Sequence, residues 1–318
     1  MIGARSLIVL ALTASGSVYA QPRTIRVWGS AQMVELMLHW QKSFSQTHPS
    51  VRFENHMNGA VSAIAGIYTG VADLALSREI WPTVAMAFEQ VLGYKPFALE
   101  VATGSFDVPT KSDSLEIFVH RENPIAQLTL AQLDAVFEAQ RPQTWGDLGL
   151  KGEWADKAIN AYGFKPENAG ALFFSDIVMK GSRNWNCHLQ SFANVTGANG
   201  TRVDAGQLLL DALSKDRYGI AISNAHYARP EVKTVAVGLQ DGGPFIEPTK
   251  DNVRNRSYPL TRIVYVFLNR APGKPIEPKL SEFLRYILSN RGQDEVVAEG
   301  AYLPLPARIA QVQLARLQ

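Results

Sequence analysis

Hydrophobic and polar residues follow two alternating periods along the first eighty positions. Residues 24–28 alternate around Ile25 and Val27, which predicts a strand, and residues 32–47 form an amphipathic stretch that predicts a helix ending before Pro49. The same order recurs with a strand at residues 51–57, a helix at 58–68 and a strand at 72–77. Because neighbouring parallel strands need crossover connections, this alternation predicts a mostly parallel sheet.

An extended region at residues 97–121 separates this first set of elements from a second set. The later elements are predicted helices at residues 128–138, 170–179 and 206–215, strands at 158–162, 218–223 and 262–268, and an amphipathic helix at 279–299. Two such sets predict an α/β protein with two lobes. Ligands of open α/β sheets bind beyond the carboxyl ends of the strands, near helix N-termini, so a cleft between the lobes is expected.

The composition narrows the classes of function. The chain has 318 residues, 46% hydrophobic and 19% charged side chains and a formal net charge of +2, and this near-neutrality argues against nucleic acid as a partner. Cys187 is the only cysteine, which excludes an intramolecular disulfide and a CxxC site. There is no HExxH spacing, no P-loop and, after residue 20, no GxSxG motif. The sequence therefore favours a binding protein without cofactor, metal or catalytic residue.

The first twenty residues have the features of a secretory signal. One base, Arg5, precedes an apolar run at residues 7–12, and Val18-Tyr19-Ala20 places small or compact residues where signal peptidase cleaves. No later segment reaches the roughly 18 apolar residues of a membrane-spanning helix. We therefore expect residues 1–20 to be removed and the remaining chain to lie in the periplasm without being embedded in a membrane.

Short motifs occur in a fixed order along nearly the whole chain. They are Gly29-Ser30, residues 59–64, residues 72–75 with Ser77-Arg78, Asn123-Pro124-Ile125, residues 145–149, residues 258–262 and Gly292-Gln293. This series resembles the phosphate-type, PstS-like substrate-binding proteins of bacterial ABC transporters, which are periplasmic binding proteins of class II.

The resemblance implies an α/β, two-lobed clamshell with mixed sheets flanked by helices. Its first lobe would comprise residues 24–105 and 245–318, and its second lobe residues 106–244. Such a protein captures a small anionic solute, phosphate or another oxyanion or organic acid, between the lobes and delivers it to an ABC permease. No long exposed apolar segment stands out, so we expect a monomer.

The resemblance also implies a set of ligand-binding positions at helix starts and strand ends. These positions are Ser30, Ala31, Gln32, Ala60, Val61, Ser77, Arg78, Lys165, Ala169, Gly170 and Ala171. Several of them depart from the family pattern. Alanine stands at residues 31, 60, 169 and 171 where the family has a serine or threonine, and lysine stands at residue 165 where the family has an arginine.

These departures argue against phosphate itself. A hydrogen bond to a charged group contributes roughly 1.5 to 3 kcal/mol, so losing about four hydroxyl donors removes on the order of 6 to 12 kcal/mol. A micromolar binder has about 8 kcal/mol of binding free energy. Two hypotheses follow: a different ligand with an anionic group and some apolar bulk, or an envelope protein that binds partners and has lost ligand capture. A secreted phosphatase is a weaker alternative.

Overall fold

The computed structural model describes residues 23–111, 113–138, 144–198 and 200–318. The predicted secretory signal, residues 1–20, lies outside the described residues. None of the helices in the described ranges combines the length and the apolar content that crossing a bilayer requires.

Strands and helices alternate along the described chain. The strands are β1 (Arg23–Gly29), β2 (Val51–His56), β3 (Leu74–Ser77), β4 (Phe97–Thr103), β5 (Glu116–His120), β6 (Gln127–Thr129), β7 (Asn160–Phe164), β8 (Gln190–Phe192), β9 (Val195–Thr196), β10 (Arg202–Val203), β11 (Gly219–Ser223), β12 (Val232–Thr234), β13 (Ala236–Gly238), β14 (Phe245–Ile246) and β15 (Ile263–Leu268). The α-helices are α1 (Val34–Ser45), α2 (Ala60–Tyr68), α3 (Pro82–Leu92), α4 (Leu130–Phe137), α5 (Ala169–Ile177), α6 (Ala205–Leu213), α7 (Lys250–Arg254), α8 (Pro278–Ile287), α9 (Asn290–Glu299) and α10 (Ala307–Ala315). Short 3₁₀ turns lie at Ala31–Met33, Gly152–Trp154 and Ala225–Tyr227.

The first five-stranded sheet has the order β2-β1-β3-β15-β4. β1 runs parallel to β2 and β3, whereas β15 runs antiparallel to β3 and β4, so the sheet is mixed. Helices α1, α8 and α9 contribute fully buried side chains to the core on this sheet, including Trp40 and Phe283. The Trp40 indole Nε1 donates a hydrogen bond of 2.8 Å to the carbonyl of Gly292, which ties α1 to α9.

The second five-stranded sheet has the order β12-β5-β11-β7-β8 and is also mixed. Its core contains side chains from α4, α5 and α6. Val253, Tyr258 and Leu260 join this second core, although the sequence prediction assigned residues 245–318 to the first lobe. The division into lobes at residues 105 and 245 stays a prediction.

Two chain segments lie side by side and connect the two sheets. Leu115 donates its backbone N–H to Leu260 O, and Arg262 donates its own to Asp113 O, with an isolated bridge between Ser114 and Thr261. The two halves are thus connected through two antiparallel segments. The molecule is the two-lobed α/β clamshell, with mixed sheets flanked by helices, that the sequence predicts.

The prediction of one long amphipathic helix at residues 279–299 is wrong, because the structure has two separate helices there, α8 and α9. Ser289 ends the first helix and caps the second, because its Oγ accepts the N–H of Gly292 at 3.2 Å. A Cβ at Gly292 would lie 2.1 Å from the carbonyl oxygen of Tyr286, so only glycine fits this turn. Helix α3, which starts at a proline, was not predicted.

Candidate ligand-binding cleft

A cavity of about 110 Å³ lies where the two lobes meet. Its walls come from the 3₁₀ turn before α1, the end of β3, the joining segments, and the starts of α5 and α6. The lining residues are Gln32, Arg78, Thr110, Phe164, Asn168, Ala169, Gly170, Asn194, Arg202, Asp204, Gly206 and Arg262. Eight of these described residues carry polar side chains, so the cavity suits a charged or strongly polar molecule.

Arg78 follows β3 and forms part of the first-lobe wall. It is 8% exposed. Its Nη1 donates to Oε1 of Gln32 at 2.8 Å, its Nη2 donates to Oδ2 of Asp113 at 2.8 Å, and its Nε is ion-paired with the same carboxylate. Burial alone would lower the pKa of Arg78. The charge of the Asp113 carboxylate outweighs burial and raises that pKa above its ordinary value, so the guanidinium stays charged.

A buried carboxylate links two arginines of the cavity, Arg78 and Arg262. Asp113 is completely buried and also lies 3.7 Å from Nη1 of Arg262, whose guanidinium is ion-paired with Glu79. Burial raises the pKa of Asp113, but the nearby charges of Arg78 and Arg262 outweigh burial and hold that pKa below its ordinary value. Asp113 also accepts a hydrogen bond from Oγ of Ser105 at 3.1 Å. The two guanidiniums are therefore fixed in place by carboxylates behind them.

The N-terminus of α5 forms part of the second-lobe wall. Asn168 caps this helix, because its Oδ1 accepts the N–H of Gly170 at 2.7 Å. The amides of a first helical turn have no intrahelical partner and carry partial positive charge, so this end of the helix favours an anion. Phe164, at the end of β7, is the largest apolar side chain in the described lining of the cavity.

The start of α6 brings a carboxylate and an arginine to the same wall. Asp204 accepts a hydrogen bond of 2.5 Å from the hydroxyl of Tyr227, and its other oxygen lies 3.5 Å from Nε of Arg202. Burial and the bond to Asp204 raise the pKa of Tyr227 to about 12. The tyrosine is therefore a hydrogen-bond donor at neutral pH.

Residues 105–111, which we name the strap, cross between the lobes at this cavity. Gln32 Nε2 donates to the carbonyl of Thr110 at 2.8 Å, and the N–H of Thr110 donates to the Tyr227 hydroxyl at 3.1 Å. Thr110 has a φ of 63° and Asp107 a φ of 54°, a region that non-glycine residues rarely adopt. Such strain persists only where surrounding contacts hold it, which here are contacts from both lobes.

The structure places the predicted ligand-binding residues in two groups. Gln32, Arg78, Ala169 and Gly170 line the cavity. The others lie outside its lining: Ser30 caps the 3₁₀ turn, Ala31 and Val61 are exposed, Ala60 begins α2, Ser77 and Ala171 are buried, and the Lys165 side chain is exposed.

Eight further lining residues were not predicted from the sequence. They are Thr110 on the strap, Phe164 at the end of β7, Asn168 before α5, Asn194 before β9, Arg202 in β10, Asp204 and Gly206 at the start of α6, and Arg262 just before β15. Asp204 could have been found, since an acid directly before an apolar-periodic helix is a typical N-cap. Most of the others lie in loops or in very short strands, where periodicity carries little information about which way a side chain points.

The comparisons with known proteins agree with this architecture. The sequence profile of the PBP superfamily domain matches residues 13–291. The chain belongs to the PBP superfamily. A phosphate-binding protein PstS of Pseudomonas aeruginosa is 35% identical to it over 291 residues, covering 89% of this chain and 83% of the relative. A PstS of Staphylococcus aureus is 23% identical over 90% of this chain and 80% of the relative.

Solved structures of PBP proteins show the same fold. PstS from Borrelia burgdorferi superposes with a TM-score of 0.62 at 16% identity, over 89% of this chain and 99% of the other. An ABC-type phosphate transport receptor from Vibrio cholerae gives 0.59 at 17% identity, over 89% and 100%. The names of these four relatives describe binding or transport. The chain is thus a PBP-type solute-binding protein resembling the phosphate-binding subunits.

Proposed function

We propose that this protein captures a small tetrahedral oxyanion of the phosphate type between its lobes and delivers it to an ABC permease from the periplasm. The observation that carries the proposal is the 110 Å³ cavity bounded by three guanidiniums, those of Arg78, Arg202 and Arg262, and by the start of α5. Guanidiniums match oxyanions in geometry and charge, and helix N-termini favour the same ligands.

The size and polarity of the cavity support an inorganic oxyanion over an organic acid. Phe164 and Ala169 supply the apolar side chains of its described lining, so a ligand with substantial apolar bulk would bury that bulk against polar groups. Cavities that hold organic ligands usually enclose about 300 Å³ or more. The hypothesis of an anionic ligand with apolar bulk is therefore less favoured than a compact anion.

Two polar side chains from unpredicted positions add hydrogen-bonding groups to the cavity. Thr110 and Asn194 line the cavity beside the predicted Gln32 and bring a hydroxyl and an amide to it, whereas the alanines at residues 31 and 60 lie outside its lining. The loss of binding free energy calculated from the sequence alone assumed that no other side chains replace the absent serines and threonines. Thr110 and Asn194 are two polar side chains that this calculation left out.

The charges around the cavity are nearly balanced. The guanidiniums of Arg78, Arg202 and Arg262 are accompanied by the carboxylates of Asp113 and Asp204 at close range, and Glu79 pairs with Arg262. Attraction of the anion therefore depends on short-range donation by N–H groups and less on a long-range positive field. We expect the affinity to depend only weakly on ionic strength.

Calorimetry on the purified protein tests this proposal. We expect micromolar binding of inorganic phosphate, and a thermal-unfolding screen with sulfate, other oxyanions and small organic acids should rank compact oxyanions first. A ligand at 100 times its Kd stabilises the folded state by about 2.7 kcal/mol. Absence of a shift with every anion contradicts capture and supports the partner-binding role.

Two assays address the remaining parts of the proposal. Turnover of generic phosphate esters is expected to be absent, and measurable turnover would favour the phosphatase hypothesis instead. Fractionation of expressing cells should recover the protein in the periplasm with its N-terminus at residue 21. Recovery in the cytoplasm with residues 1–20 intact would contradict the export that the proposal requires.

A further inference from the structure

The three arginines of the cavity differ in how strongly carboxylates already hold them. Arg78 is bound by Asp113 and Gln32, and Arg262 is ion-paired with Glu79 and lies near Asp113. Both guanidiniums are buried. A ligand that drew either of them away from its partner would leave a buried carboxylate unpaired, which carries a large free-energy cost.

Arg202 is held much more weakly. Its side chain is 58% exposed, and among the described residues its guanidinium makes one close polar contact, from Nε to Oδ1 of Asp204 at 3.5 Å. That distance is longer than an ordinary hydrogen bond. The 2.5 Å bond from Tyr227 reaches Oδ2 of Asp204, whereas Arg202 lies against Oδ1, so the two contacts use different oxygens. Because the Asp204 side chain is 13% exposed and keeps the Tyr227 hydroxyl as a donor, turning the two Nη groups of Arg202 to a ligand costs less than breaking the pairs of the fully buried Asp113.

The backbone around Arg202 holds it beside the cavity. β10 pairs with β9, where Arg202 faces Thr196 and Val203 faces Val195, and α6 begins two residues later. Asn194, at the other end of this ribbon, accepts the N–H of Ala205 at 2.9 Å. The ribbon is thus fastened to the start of α6 on the second-lobe wall.

Lys165 does not occupy this wall. It follows β7, its side chain is exposed, and it is absent from the described lining of the cavity. Its backbone instead shapes the approach to α5, since its N–H donates to Phe192 O and its carbonyl accepts the N–H of Asn168. The cation that the family resemblance implies at residue 165 thus lies outside the described lining of the cavity.

We propose that Arg202 is the specificity-determining cation of the second lobe and takes over the anion-gripping role that the sequence pattern assigns to Lys165. This inference rests on the proposed function. The guanidinium donates two parallel N–H groups to two oxygens of the anion, while the buried Arg78 and Arg262 keep their carboxylate partners. A planar fork of this kind favours an anion with at least two oxygens on one atom over a monodentate ligand.

Isothermal calorimetry with inorganic phosphate tests the inference on four variants and the parent protein. Arg202→Ala is expected to weaken phosphate binding about 10- to 100-fold, which corresponds to about 1.4 to 2.7 kcal/mol. Arg202→Lys should recover only part of this loss, because an ammonium cannot donate in a bidentate manner. Lys165→Ala should change affinity by less than about twofold.

Arg254→Ala is the matched control. Arg254 is also an arginine 58% exposed with a neighbouring aspartate, Asp251, but it lies on α7 away from the cavity. Its replacement should leave affinity unchanged, and thermal unfolding without ligand should show the Arg202 variants to be as stable as this control.

The possible outcomes separate the inference from the proposed function. Parent-like affinity in Arg202→Ala, or a larger loss in Lys165→Ala than in Arg202→Ala, overturns the inference and leaves oxyanion capture intact. If the parent protein binds neither phosphate nor any other oxyanion, the proposed function fails and the inference fails with it. Tight binding by the parent with selective loss in Arg202→Ala supports both.

Discussion

Replacing the central carboxylate, Asp113→Asn, should strongly destabilise this protein. Asp113 is completely buried, receives two ion-paired nitrogens from Arg78, and lies 3.7 Å from Arg262. An asparagine has nearly the same shape but no charge. The Arg78 guanidinium, which is 8% exposed, would keep Gln32 as a neutral partner and lose its counter-ion.

The size of the effect follows from the burial of the pair. Removing one partner of a buried ion pair costs about 3 to 5 kcal/mol, and we expect the lower end because asparagine can still accept a hydrogen bond. For a domain of this size, about 3 kcal/mol corresponds to a fall in Tm of roughly 6 to 12 °C. Thermal and urea unfolding at neutral pH measure both quantities.

A surface pair provides the control. Asp176 is ion-paired with Arg183 at 2.5 Å, but both side chains are more than a third exposed. Asp176→Asn should cost about 1 kcal/mol or less, since exposed pairs contribute little. If Asp113→Asn were no more destabilising than Asp176→Asn, the Arg78 and Arg262 network would not be the structural centre of the cleft.

Phosphate should partly repair the Asp113→Asn protein, because an anion supplies the charge that asparagine lacks. The rise in Tm on adding phosphate is therefore expected to be larger in Asp113→Asn than in the parent protein. An equal or smaller rise would show that the ligand does not approach Arg78, and it would refute the placement of the anion in this cavity.

Three further predictions address other parts of the structure. Burial raises the pKa of Glu116 well above its ordinary 4.5, so the folded protein loses stability as the pH rises from that value toward the raised pKa. Urea unfolding should therefore show Glu116→Gln gaining stability over the parent with increasing pH, by up to about 1.4 kcal/mol per unit, and a pH-independent difference would contradict this. Gly292→Ala should lower the free energy of unfolding by about 1 to 3 kcal/mol or more, because the new Cβ would meet the Tyr286 carbonyl, and unchanged urea unfolding would refute that crowding. Tyr227→Phe removes the hydroxyl that joins Thr110 to the start of α6, so calorimetry should show phosphate binding weakened about five- to tenfold. Unchanged affinity would contradict a role of the strap in ligand binding.

Regular elements were predictable because their periodicity reflects which side faces a core. The strand at residues 24–28 and the helix at 58–68 match β1 and α2 closely. The break between α8 and α9 was missed because the apolar period continues across it, and the hydrophobic pattern outweighed Ser289 and Gly292 as stop and start signals. Those two residues nevertheless indicate the break, as a cap and a glycine three positions apart.

The cavity was less predictable than the fold. Arg78 was found because it directly follows a strand, where ligand-binding side chains of α/β proteins collect. Arg202 and Asn194 were missed because they belong to a short ribbon whose path depends on tertiary contacts. Lys165 was predicted by its place in a motif, but a side chain before a helix can point toward solvent as easily as toward a cleft, and here it is exposed.

A crystal structure of the protein grown with saturating phosphate tests the central claim most directly. The account predicts one tetrahedral anion in the cavity between the lobes, in contact with the start of α5 and within hydrogen-bond distance of both Nη groups of Arg202. An empty cavity at saturating phosphate, or an anion bound only on the outer surface of one lobe, would contradict it.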